Sequence, residues 1–237
     1  MAELPDRPGP VVDAVVEAMT SSELLAELKP RLRGWLHAGT APLSAVAGAV
    51  LVRLAPAGTP RVGALVFALS SVLLFTVSAT MHRGCWSPRT QRLLTRLDHA
   101  SIFVLIAGTY TPFALLLLHG RDRVVLLSVV WAGAVAGIAF RMLRPGAARW
   151  VYTPLYLALG WVAVFYAPAF ARAAGPTVIA LVALGGLLYT GGAVVYGLRR
   201  PNPLPRWFGF HEVFHTCTVL AFAAHYTGVT LATFAVS

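Results

Sequence analysis

Three small groups of residues in this chain have types and spacings that could do chemistry. His211 and His215, within His211-Glu212-Val213-Phe214-His215, stand at i and i+4. On a helix that spacing puts two imidazoles on one face, one turn apart. Ser78 and His82, within Ser78-Ala79-Thr80-Met81-His82, repeat it, and Asp98-His99 forms the third group. A histidine pair one turn apart, completed by an imidazole from another element, is a common way to hold Zn²⁺ while leaving the fourth tetrahedral position to water. His82, His211 and His215 are the expected ligands. Asp98 would accept a hydrogen bond from a water in the open position and take its proton. Ser78 would orient a ligand, the water or a substrate carbonyl. The competing reading of such a pair is a helix-end arrangement that bonds neighbouring carbonyls at an interface.

Residues so far apart in sequence meet only if their elements bring them to one depth. The chain has 237 residues, of which 57% are hydrophobic and 12% charged, and a mean hydropathy of +0.71. So little polar surface cannot cover a water-facing globule of this size, so lipid is the expected solvent. Seven apolar stretches lie near 36–54, 61–82, 99–119, 122–141, 150–171, 176–198 and 209–234. Each has about the 20 residues that cross a hydrocarbon core as a helix. The expected fold is therefore all-α: seven transmembrane helices over 34–237, after a polar lead-in over 1–33. In that lead-in Thr20-Ser21-Ser22-Glu23 has the form of a capping box, and Leu24, Leu25 and Leu28 would line a short interfacial helix ending at Pro30.

Arginine and lysine orient the bundle. With the N-terminus in the cytoplasm, Lys29, Arg31, Arg33, Arg83, Arg89, Arg92, Arg96, Arg141, Arg144, Arg149, Arg199, Arg200 and Arg206 fall inside, and Arg53, Arg61, Arg121, Arg123 and Arg172 outside. That bias favours N-terminus in and C-terminus out. On this topology all three polar groups sit just beneath the inner surface. The net charge of +10 belongs to these loops, and no basic stripe exists for nucleic acid to follow. The first thirty residues lack the apolar core of a signal peptide, so the first membrane helix is expected to target the chain.

Other polar residues have simpler expected roles. Cys85 and Cys217 are too few for a disulfide framework and read as free thiols. His225 lies ten residues beyond His215, about 15 Å along a helix, too far to join the same metal, and reads as a buried hydrogen-bonding histidine. His37 and His119 default to interface or packing roles, and Glu212 points away from the His211/His215 face toward solvent or a loop arginine. The Gly185-Gly186 and Gly191-Gly192 pairs suggest close helix packing.

Ser78-x-x-x-His82, the stretch from Asp98-His99-Ala100-Ser101 through Gly108-Thr109-Tyr110-Thr111-Pro112-Phe113, and His211-x-x-x-His215 resemble the hallmark motifs of the hemolysin III branch of the progestin and adipoQ receptor superfamily. The likeness runs from about His37 to the C-terminus. It implies a seven-helix membrane protein with a cytoplasmic N-terminus, a zinc held by His82, His211 and His215, and Asp98 engaged with the metal's water. Around His37-Ala38-Gly39 the chain has Arg33-Gly34-Trp35-Leu36, which departs from the Asn- and Thr-bearing pattern of the family.

Two function classes follow. The first is a zinc-dependent hydrolase of a lipid amide, with a ceramide-like substrate implied by the resemblance, membrane lipids as partners and the bacterial inner membrane as location. The second is a non-enzymatic sensor or regulator of membrane lipid or fluidity in which zinc is structural. A pore-forming cytolysin is disfavoured, because the spans are too uniformly apolar to line a wide aqueous pore.

Overall fold

The computed structural model describes residues 30–235. The short helix expected before Pro30 lies outside the described residues. The elements are α1 (Trp35–Leu54), α2 (Thr59–Arg83), α3 (Pro88–Leu117), α4 (Gly120–Leu143), α5 (Arg149–Gly160), a 3₁₀ turn (Trp161–Tyr166), α6 (Ala167–Leu198) and α7 (Phe210–Ala235). Among the described residues the fold is all-helical, with one isolated bridge between Leu204 and Phe208.

Among the described residues six helical runs are long and apolar enough to cross a membrane, rather than the seven expected. The count differs because α5, the 3₁₀ turn and α6 join into one run of 50 residues, Arg149–Leu198. That run is not one straight helix. Gly175, with φ of 79° and ψ of 176°, leaves helical geometry, and Pro176 follows it. A positive φ costs glycine little, and a proline cannot donate to the preceding turn, so the pair breaks the ladder where a connector was expected.

The third helix begins eleven residues before the expected apolar span. Ser87 caps it by accepting a hydrogen bond from the Thr90 N–H at 3.3 Å, and Pro88 occupies its first turn. Both are helix-start signals that a hydropathy window does not register. The added turns carry Arg89, Arg92 and Arg96 and extend beyond the apolar span.

The helix α3 is the most enclosed, with 78% of its apolar span buried against 17–50% for the others. Phe67 and Phe75 of α2 and Phe103 and Phe113 of α3 fill the core beside it. Close approach of α2 and α3 depends on Gly108, where a Cβ would lie 2.2 Å from the Ser70 Oγ. Tyr110 of α3 holds the irregular run in place. Its hydroxyl donates to the Gly160 carbonyl and accepts from the Ala163 N–H at 2.7 Å. These are backbone groups at the point where α5 tightens into the 3₁₀ turn.

At the end of the bundle rich in arginine, the segment from Pro30 to Gly34 folds over the helix ends. The Arg31 N–H donates to the Arg206 carbonyl at 3.0 Å and the Leu32 N–H to the Trp207 carbonyl at 3.2 Å. The Arg31 guanidinium lies 4.6 Å from the Trp207 ring centroid, and that of Arg83 4.1 Å from Trp35.

Candidate metal centre

The last turn of α2 and the first turns of α7 meet beneath this cover. His82 lies on α2, one turn beyond Ser78, and His211 and His215 share a face of α7, as the i, i+4 spacing requires. One ligand atom from each of the three histidines lies within 4.8 Å of the others. Two nitrogens bound to one tetrahedral Zn²⁺ at about 2.0–2.1 Å stand about 3.3 Å apart. The Nε2 atoms of His82 and His211 are 3.1 Å apart, so this pair stands close to the separation of two ligands on one such ion.

The surroundings fix the rings. His37 of α1 stacks on His215 with centroids 3.7 Å apart and planes 7° from parallel. Its Nδ1 lies 2.8 Å from the Ser78 Oγ. Asp98 of α3 lines the same cavity as Ser78 and His37, so α1, α2 and α3 each bring one polar side chain to this place. Ser78, His37 and His215 are all buried. Gly34, at φ of 83°, lies against the site, where a Cβ would stand 2.5 Å from the Cβ of His82.

Glu212 differs from expectation. It does point away from the ligands and meets an arginine, but it is only 1% exposed rather than solvated. One oxygen accepts from Arg33 Nε, and the other accepts from the Gly209 N–H at 2.8 Å. Three residues into α7, Glu212 thus satisfies the backbone donor at the helix start and pins the covering segment to it.

A family sequence model described as "Haemolysin-III related" matches residues 25–226. The chain belongs to this family. Hemolysin-3 of Bacillus cereus is 36% identical over 132 residues, spanning 55% of this chain and 59% of that protein. The Hemolysin-3 homolog of Bacillus subtilis is 36% identical over the same length, spanning 61% of its own chain. The adiponectin receptor protein of Drosophila melanogaster is 27% identical over 183 residues, or 69% of this chain and 40% of that receptor. The matches thus span about three fifths or less of these relatives. Family membership together with the apolar helices makes this an integral membrane protein.

In this haemolysin-III-related chain a cavity of about 380 Å³ runs from the histidines into the bundle. His37, Ser78, Asp98, His211 and His215 line one end. Apolar side chains of α3, the 3₁₀ turn, α6 and α7 line most of the rest. Trp161, Val164 and Leu187 line it too while remaining 47%, 53% and 62% exposed, so the cavity reaches the outer face of the bundle between the 3₁₀ turn and α6.

His99 does not join the ligands. Its Nδ1–H donates to the Thr95 carbonyl at 2.6 Å and its ring packs edge-on against Tyr152. His119 caps α4 at the opposite end and is exposed. Cys85 and Cys217 are free. His225, as expected, is buried and bonded to a carbonyl, that of Val182, at 3.2 Å. Sequence reasoning missed His37, which it assigned to packing or the interface. The resemblance around His37-Ala38-Gly39 was the available signal, and the altered residues before it weakened that signal.

Proposed function

We propose that this chain is a zinc-dependent hydrolase of a lipid amide, acting just beneath the cytoplasmic face of a bacterial inner membrane. The observation that supports it is the convergence of three imidazoles with Ser78 and Asp98 at the head of an apolar cavity open toward lipid. In this reading the run Arg149–Leu198 crosses the bilayer twice, with its turn at Gly175-Pro176. At 1.5 Å per residue it is about 75 Å long, far more than the ~30 Å core needs. That gives seven crossings, with the arginine-rich end in the cytoplasm and the C-terminus outside.

His82, His211 and His215 would hold the ion, and Zn²⁺ so held polarises a carbonyl and makes water more acidic. Asp98 takes a proton from the attacking water and returns it to the departing amine as the C–N bond breaks. Ser78 holds the carboxylate oriented, and the cavity takes the acyl chain of a ceramide-like substrate. His37, stacked on His215, keeps that ring from turning.

A second reading is a lipid sensor with structural zinc. It is supported by the same histidines tying α2 to α7, helices that otherwise meet at few places. Elemental analysis and ceramide turnover on purified wild type, His82→Ala, His211→Ala, His215→Ala and Asp98→Ala separate the two. The hydrolase reading expects about one zinc per chain, lost in each histidine variant but kept in Asp98→Ala, with fatty-acid release that needs Asp98. Zinc with no turnover in wild type would favour the sensor, and folded wild type without zinc would end both.

A further inference from the structure

Two buried polar atoms in the far part of the cavity have no partner. They are His225 Nδ1 on α7 and the Tyr189 hydroxyl on α6. His225 is 8% exposed, both residues line the cavity, and their ring centroids are 5.6 Å apart. Unsatisfied buried polar groups are costly and uncommon, so two at one place call for a ligand.

The hydrogen bonding defines what that ligand must offer. The Val182 carbonyl can only accept, so the contact at 3.2 Å requires His225 Nε2 to carry the proton. In its neutral form the ring then presents a bare lone pair at Nδ1. The Tyr189 hydroxyl can both donate and accept. One small group completes both atoms: a hydroxyl that donates to Nδ1 and accepts from Tyr189. Gly185 makes room for the imidazole itself, because a Cβ there would lie 2.2 Å from His225 Nε2.

We propose that His225 and Tyr189 form a hydroxyl-binding subsite, and that the amphiphile filling the cavity carries an alcohol group remote from its head. His225 follows His215 by ten residues on one helix, which sets the alcohol about 15 Å from the histidine cluster. The ligand class is thus a long acyl chain hydroxylated well beyond its carbonyl. The inference rests on the cavity being a lipid site and not on hydrolysis.

The test uses the full chain in nanodiscs, with displacement of radiolabelled octadecanamide by two competitors. One carries a hydroxyl on its twelfth carbon, the other on its second. The remote hydroxyl should strengthen binding about tenfold over plain octadecanamide, the value of one well-made buried hydrogen bond. The near hydroxyl should add nothing. Tyr189→Phe and His225→Phe should each abolish the gain while still binding the plain amide, which shows that they are folded. Equal binding of all three amides to wild type would overturn the subsite and leave the lipid cavity standing. No binding of any amide would overturn both.

Discussion

Arg33 and Glu212 form a pair whose two members are buried to different extents, which makes the cost of breaking it asymmetric. Glu212 is 1% exposed and Arg33 17%. Replacing Glu212 by Gln keeps an oxygen for the Gly209 N–H and strands a guanidinium that can still reach water at the bundle end. Replacing Arg33 by Met strands a carboxylate with no such escape. Removing one partner of a fully buried pair costs about 3–5 kcal/mol. Glu212→Gln should fall below that range, at about 2 kcal/mol, and Arg33→Met within it. At about 2–4 °C per kcal/mol for a chain of this size, the expected fall in Tm is about 4–8 °C for the first and about 6–20 °C for the second. The double variant should lose less than the sum of the two, because neither charge is then unpaired. Thermal unfolding of the four proteins in one detergent measures this cycle. Additive losses, or a Glu212→Gln loss equal to or above that of Arg33→Met, would refute the argument from asymmetric burial.

Three further outcomes follow from the same structure. Gly34→Ala places a methyl 2.5 Å from the Cβ of His82 at a positive φ; it should lower bound zinc and cost at least about 1–2 kcal/mol, while Gly39→Ala, with open space around it, should do neither, as elemental analysis and Tm will show. Tyr110→Phe leaves the Gly160 carbonyl and the Ala163 N–H without their hydroxyl partner and should cost about 1–3 kcal/mol, with faster hydrogen exchange confined to Trp161–Tyr166 by mass spectrometry. Prolonged chelation should lower the Tm of wild type and leave that of His215→Ala unchanged, since only the former has an ion to lose.

Most of the fold was legible because lipid demands it. A helix that meets hydrocarbon must be apolar along its length, and the seven expected stretches fall on six apolar runs among the described residues, two of them sharing Arg149–Leu198. What escaped depends on single contacts. The start of α3 is set by the Ser87 cap, a local signal too short for a window to weigh. The 3₁₀ turn at Trp161 is fixed by Tyr110, fifty residues earlier, and nothing near Trp161 announces it. The proximity of His82, His211 and His215 could be anticipated because helix periodicity and common depth both constrain them. The stacking of His37 on His215 could not, since it joins residues 178 apart in sequence with no shared spacing. The buried role of Glu212 was hidden for a related reason: its partner Arg33 belongs to a segment that hydropathy assigns only to the water-facing end.

The opening beside Trp161, Val164 and Leu187 also decides how occupancy must be counted. A ligand that enters there arrives from the hydrocarbon phase, where its competitors are lipid tails. Its effective concentration is a mole fraction of the membrane, not a molarity in the buffer. Adding inert lipid at fixed total ligand should empty the cavity, and adding buffer should leave it filled. Affinities measured at different lipid-to-protein ratios will therefore agree only when expressed per mole of lipid.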